Sequence, residues 1–490
     1  MPAKLRPGLV IDGFALVEPL HVGGMATLWR VRHPDHPGAL LMKLPRIGHG
    51  EAATQIVGFE VERMILPTLS GPHVPRFIAS GDFDDQPWLV MEHLDGETLR
   101  PLLDDAPLPP ERVAALGVAA ATAIHALHRQ HVVHLDIKPS NLLLRPDGTI
   151  ALIDFGLSHH ELLPDLLGEQ FHVPMGTGPY IAPEQVLGAR NDPRSDLFAL
   201  GVTLYPRATG ERPFGNPTSP AGLRRRLYRD PVPPRAFVRD LPRWLQEVIL
   251  HCLEADPDDR PATAAQVAHA LAHPEQVVLT SRAERAHRDA RWTVVRRWWR
   301  SHGREHDPSR RPSHHLGDAP LLMVAVDLKQ PDARLTEALR LAVQRVLSAF
   351  PQSRLACVTV MRTPRIGLEH TLDVDGRNRH VKRLLGLRDW ARPLQLGESR
   401  LTVHVLEHSD PAAALIEFAR SNRVDHLVMG ARGITGVRRV LGSVSAHVVA
   451  EAPCTVTVVR VPHATAHESL PDPVPAHPVL DHVGGPDPGA

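Results

Sequence analysis

Cysteine is scarce in this chain. Only Cys252, Cys357 and Cys454 occur, far apart, so neither a disulfide framework nor a cysteine-held zinc site is expected, and the pattern suits a reducing compartment. Long apolar runs are missing as well. None approaches the roughly 18 to 20 residues of a membrane span, and Met1 to Gly13 has no apolar core of signal-peptide length. The expected location is the cytoplasm. Net charge is absent too, since Lys+Arg 55 balances Asp+Glu 55. That removes the global argument for nucleic acid or an anionic membrane as the main partner. The 31 histidines are scattered and form no metal-ligand array.

At 490 residues the chain exceeds what one hydrophobic core usually spans. Its texture changes three times. Residues 14–273 run from short β-like segments into helical patterns. Residues 274–318 are rich in arginine and carry Trp292, Trp298 and Trp299. In residues 319–461, apolar runs of strand type alternate with helical periodicity, and the tail 462–490 is rich in Pro, His, Asp and Gly without periodicity, so disorder is expected there. The strand-like runs of the third region are Leu321 to Val326, Leu355 to Val360, Val403 to Leu406, His426 to Met429 and Thr455 to Val459. Strands alternating with helices predict a doubly wound parallel sheet.

The most informative stretch is His134-Leu135-Asp136-Ile137-Lys138-Pro139-Ser140-Asn141, followed by Asp154-Phe155-Gly156. It sets a carboxylate, an ammonium and an amide at the spacing that phosphoryl transfer from Mg-ATP to a hydroxyl needs. Asp136 can orient the hydroxyl and accept its proton, Lys138 can sit against the γ-phosphate, and Asn141 with Asp154 can hold magnesium. Here the sequence resembles the eukaryotic-like serine/threonine protein kinases of bacteria, and Lys138-Pro139 matches the serine/threonine branch better than the tyrosine branch. Leu135 departs from the pattern, standing where most of these kinases carry an arginine.

The resemblance extends outward in order. Val22, Gly23 and Gly24 lie where a glycine turn would approach the ATP phosphates, with His21 and Ala26 replacing the usual first and third glycines. Lys43 takes the place of the lysine for the α- and β-phosphates. Its expected ion-pair partner is Glu62, with Glu60 as the runner-up. Trp88 to Gly96 resembles the strand and hinge between two lobes, with backbone groups of Glu92 and Leu94 meeting adenine and Met91 as gatekeeper. Ala182-Pro183-Glu184 and Arg260 match the buried ion pair that braces the peptide-binding region, which favours a protein substrate over a small molecule. The resemblance thus implies a bilobal α+β kinase fold that uses ATP and Mg2+, or Mn2+ in its stead, on protein Ser/Thr hydroxyls.

Leu135 has a mechanistic corollary. Many kinases use the arginine at that position to pair with an activation-loop phosphate. Between Leu157 and Met175 the only hydroxyl side chain is Ser158. The expectation is a kinase not switched on by loop phosphorylation.

Behind the linker, Gly430-Ala431-Arg432-Gly433 and then Gly442-Ser443 follow the strand ending at Met429. Glycines between strand and helix free backbone N–H groups to receive phosphate. This region resembles the ATP-binding branch of the universal stress protein family, with Asp327 after the first strand expected near the nucleotide. Ile434 to Leu441 is one residue shorter than the family's usual spacing. The resemblance also implies homodimerisation through the last strand. In the linker, Ser281 to Pro312 hold ten arginines against four acids, a net +6. Trp292, Val295 and Trp299 share a helical face, expected to dock on a neighbouring domain in preference to a membrane surface or nucleic acid. Two readings compete: a protein kinase with an appended nucleotide sensor, and a nucleotide-responsive scaffold with a weak or inactive kinase domain. A small-molecule kinase ranks third.

Overall fold

The computed structural model describes residues 5–24, 26–46, 53–81, 87–301, 320–329, 332–363, 378–397, 399–431 and 442–461. The tail 462–490, Gly433 and the Ile434 to Leu441 segment lie outside them. The chain opens with six antiparallel strands, β1 (Val10–Ile11), β2 (Phe14–Val22), β3 (Ala26–His33), β4 (His36–Pro45), β5 (Phe77–Gly81) and β6 (Trp88–Glu92), in the order β1-β2-β3-β4-β6-β5. Period-two alternation sets the two faces. Leu40, Met42 and Leu44 of β4 point into a small core with Phe14, Trp29, Val31 and Trp88. Lys43, between them, faces the other way. Helix α1 (Ala53–Ile65) crosses that second face.

The next region is mainly helical. Short strands β7 (Glu97–Thr98), β8 (Val132–Val133), β9 (Leu142–Leu144), β10 (Ile150–Leu152) and β11 (His159–His160) surround the candidate catalytic loop. The helices are α2 (Pro110–His128), α3 (Leu166–Gln170), α4 (Pro183–Val186), α5 (Arg194–Thr209), α6 (Pro220–Arg224), α7 (Arg243–Cys252) and α8 (Ala264–Ala272). Every residue of α5 from Ser195 to Thr209 is buried, as befits a central helix without a polar face. It packs against α2 and α7, and α8 packs against α2.

The linker begins by docking, through charge. In α9 (Ser281–Glu284) and just before it, Glu247 of α7 accepts hydrogen bonds from Thr280, Arg282 and the Ala283 N–H. In α10 (Arg291–Ser301), Arg297 pairs with Asp230 at 2.9 Å and Asp289 at 2.7 Å. Trp292 and Trp299 are 75% and 71% exposed. The tryptophan face expected to dock therefore points outward, and an arginine anchors the helix instead.

The last region holds β12 (Leu321–Ala325), α11 (Ala333–Ala349), β13 (Arg354–Arg362), α12 (Arg379–Ala391), β14 (Leu401–His408), α13 (Pro411–Ser421), β15 (His426–Gly430), α14 (Ser443–Glu451) and β16 (Thr455–Val459). The five strands are all parallel, in the order β14-β13-β12-β15-β16. Leu322 and Val324 of β12 pack with α11 and α12 on one face. Leu321 and Met323 pack with α13 and α14 on the other. The sheet is doubly wound, as the alternation predicts. Side chains of Asp332, Asn378 and Asp410 cap α11, α12 and α13 by accepting from first-turn N–H groups. Among the described residues, no helix is long and apolar enough to cross a membrane.

Candidate active site

The upper wall of the cleft follows from two periodicities. Strand alternation aims Lys43 at α1, and helical phase decides which glutamate receives it. Lys43 Nζ lies 2.5 Å from Glu62 Oε2 and 2.9 Å from Asp154 Oδ1. Glu60, two positions earlier and so on a different face of the helix, pairs at 2.5 Å with Arg388 of α12. Gly58 lies one turn before Glu62, and it touches the glycine after Phe155. A Cβ on Gly58 would come within 3.0 Å of the Gly156 carbonyl, and one on Gly156 within 3.2 Å of the Gly58 carbonyl. Two glycines back to back thus let α1 approach the Asp154-Phe155-Gly156 turn.

Charge in this cluster is uneven. Burial disfavours the Lys43 ammonium, but Asp154 and Glu62 outweigh it and hold its pKa above the ordinary lysine value. Lys43 in turn holds the Asp154 carboxyl down to about 2. Burial pushes the Glu62 carboxyl upward against the pull of Lys43.

Asp136 and its neighbours hang from the first turn of α5. The fully buried Asp196 accepts from the His134 N–H and the Leu135 N–H, both at 2.8 Å, and lies 2.9 Å from His128 Nε2. Leu135 is held at φ 63°, a conformation that costs a non-glycine residue about 1–2 kcal/mol. Its N–H is fixed by Asp196 and its carbonyl by the Gln185 amide at 3.1 Å, which offsets that strain. The Leu135 side chain is buried, so it packs in the core where an arginine would present charge.

The Asp136 carboxylate meets three residues, with the Thr177 N–H donating to Oδ1 at 3.2 Å beside the side-chain bonds. Lys138 Nζ donates to Oδ2 at 2.6 Å, Asn141 Nδ2 donates to the same oxygen at 3.2 Å, and Thr177 Oγ1 donates to Oδ1 at 2.9 Å. Thr177 also accepts from Lys138 at 3.0 Å. Thr177 is thus part of the same network, and Asp196 is its foundation. Both residues join the site through contacts 41 to 62 positions apart, which local spacing does not encode. With its Nδ2 engaged by Asp136, Asn141 has its oxygen, Oδ1, which accepts from the Ser140 hydroxyl at 3.3 Å and has a second lone pair that could face an ion. Asp154 supplies a second oxygen set, 45% exposed toward the cleft. Among the described residues no three His, Cys, Asp or Glu side chains gather into a ready-made metal site. Two oxygen-bearing side chains fit an ion that completes its shell with phosphate and water, as Mg2+ does.

The other kinase-like residues fall around this centre. Gly23 N–H donates to the Ala26 carbonyl at 3.0 Å and closes the turn beside Val22 and Gly24. Glu92 N–H is bonded to the Arg76 carbonyl at 2.9 Å, so a role for Glu92 at adenine must use its carbonyl; Leu94 follows two residues after it. Glu184 and Arg260 form a bidentate pair, both bonds 2.7 Å, with the guanidinium fully buried.

The C-terminal residues gather at a different kind of site. Strand order reverses between β12 and β15, and ligands of such sheets sit outside the carboxyl ends of strands at that switch point. Asp327 lies just past β12, Gly430 ends β15, and Gly442 caps α14, whose first residue is Ser443. Asp327 and Ser443 are exposed.

A model of the protein kinase domain matches residues 23–274, and one of the universal stress protein family matches residues 321–460. Serine/threonine-protein kinase pkn2 of Myxococcus xanthus is 31% identical over 272 residues, 54% of this chain and 33% of the relative. Serine/threonine-protein kinase PknB of Mycolicibacterium smegmatis is 29% identical over 266 residues, 53% of this chain and 43% of the relative. The chain therefore spans less than half the length of these curated relatives. The solved PknI kinase domain of Mycobacterium tuberculosis, 27% identical, aligns with 55% of this chain and 99% of its own at a TM-score of 0.44. This chain belongs to the protein kinase family, and the region behind its kinase domain matches the universal stress protein family.

Proposed function

We propose that the chain transfers the γ-phosphate of ATP to serine or threonine hydroxyls of proteins. The observation that carries this reading is the paired charge network, Lys43 with Glu62 and Asp154 on one side and Asp136 with Lys138 on the other. Glycines 23 and 24 with Val22 cover the phosphates, and Glu92 and Leu94 offer backbone groups to adenine. Lys43, fixed by Glu62, positions the α- and β-phosphates. Asp136 orients the substrate hydroxyl and takes its proton, as it now accepts from the Thr177 hydroxyl, and Lys138 neutralises charge on the transferred group. Mg2+ (or Mn2+) held by Asn141 and Asp154 would supply charge neutralisation across the phosphates. The braced Glu184–Arg260 region favours a protein substrate. The reading includes a second ATP in the universal stress protein domain at Asp327, Gly430, Gly433, Gly442 and Ser443, action in the cytoplasm, and a homodimer through the edge strand β16.

The test is transfer of labelled phosphate from Mg-ATP to a generic protein substrate by the full chain. Asp136→Asn is expected to lower the rate by about 10²–10⁴-fold. Binding of ATP without any transfer by the unaltered chain would favour the scaffold reading.

A further inference from the structure

The fold leaves α3, in the segment after Asp154-Phe155-Gly156, wedged between two bodies. It packs against α1 on one side and against β14 and α13 of the C-terminal domain on the other. Glu169 of α3 is buried. Its carboxylate meets Arg354 at 2.5 Å and the fully buried His404 at 2.9 Å, and its carbonyl accepts from Asn422 at 3.0 Å. Gln170 donates to the Val405 carbonyl at 3.0 Å, so α3 covers an edge of the parallel sheet that would otherwise stand open. Burial opposes the charge on Glu169, and Arg354 with His404 outweighs it, holding the carboxyl below its ordinary value. A second contact lies on α1, where Glu60 pairs with Arg388. One helix is thereby gripped on one face by Lys43 and on another by Arg388.

We propose that the C-terminal domain is an intramolecular clamp that holds α1 and α3 in their catalytic positions, through Arg388 on Glu60 and through Arg354 with His404 on Glu169. The clamp supplies the ordering that a phosphate-bound arginine provides in other kinases and that the buried Leu135 does not. It commits the binding face: β14, the first residue of β13, α12 and α13 engage the kinase domain, leaving the Asp327 and Gly430 strand ends for nucleotide. This rests on the kinase reading above. Arg354, Arg388 and Glu169 are positioning residues, since they act through α1 and α3.

The experiment compares full-length wild type, Arg388→Ala and Arg354→Ala. Phosphate transfer to a generic protein substrate is measured together with hydrogen exchange over residues 53–65 and 166–170. Each variant is expected to lose roughly tenfold in kcat, within the usual range of coupling between sites, with the KM for ATP little changed. Exchange over α1 should quicken in Arg388→Ala and over α3 in Arg354→Ala, while the buried helix α5 keeps its wild-type exchange. Unchanged exchange in both variants overturns the clamp. A kcat that rises overturns it too, since the contact would then be inhibitory. A wild-type chain without any transfer sinks the kinase reading alone; the exchange data still decide whether the C-terminal domain holds these helices.

Discussion

The kinase cleft and the switch point of the C-terminal sheet are both expected to receive ATP, yet they are built differently. In the cleft, Lys43, Glu62, Asp154, Asp136 and Lys138 lock one another, and most of these side chains are withdrawn from water. At the switch point, Asp327 and Ser443 are exposed, and what converges is backbone at strand and helix ends. The difference fits the two tasks proposed for them. Moving a phosphoryl group needs charges prepositioned against the atoms that change, because reorganising them during the reaction would raise the barrier. Holding a nucleotide needs only donors and space.

The comparison predicts unequal sensitivity to losing a carboxylate. Glu184→Ala would strand the fully buried Arg260 guanidinium and should cost the kinase domain about 3–5 kcal/mol. Asp327→Ala, at the exposed site, should shift stability by less than about 0.5 kcal/mol. Denaturant unfolding of the two variants checks both values, and similar losses would erase the distinction.

A smaller effect concerns acid. Lys43 holds the Asp154 carboxyl down to about 2, from an ordinary 3.8. A depressed folded-state pKa means that the stabilisation is complete above pH 3.8 and is lost as the pH falls through about 2. The difference in unfolding midpoint between wild type and Asp154→Asn should therefore be flat from neutral pH to about pH 4 and shrink below it. The 45% exposure of Asp154 lets water screen the pair and keeps the whole effect modest.

The smallest expected effect is none. Leu135 offers no charge to a loop phosphate, and Arg354 with His404 already holds α3. Phosphatase treatment of the purified chain should leave the transfer rate unchanged. Loss of activity with recovery on rephosphorylation of the loop would refute this.

Much of the architecture was legible in the sequence because periodicity is a local signal. The apolar runs at Leu321 to Val326 and Thr455 to Val459 became β12 and β16, and their alternation with helical segments became the parallel sheet. The linker was less legible. A shared helical face placed Trp292, Val295 and Trp299 together, but amphipathicity does not say which face finds a partner. Asp230, outside the linker, drew Arg297 inward and left Trp292 and Trp299 exposed.

By itself the sequence pointed to the candidate catalytic constellation. Asp136, Lys138 and Asn141 fall within six residues, at offsets suited to phosphoryl transfer. It left Glu60 beside Glu62, because both sit on one helix and only the position of Lys43 tells which face looks into the cleft. Tertiary structure chose Glu62 and gave Glu60 to Arg388. It alone joined Glu169 to Arg354 and His404, 185 and 235 positions away. No local spacing encodes such a contact, since it exists only once two separately folded surfaces pack and bury the charges between them.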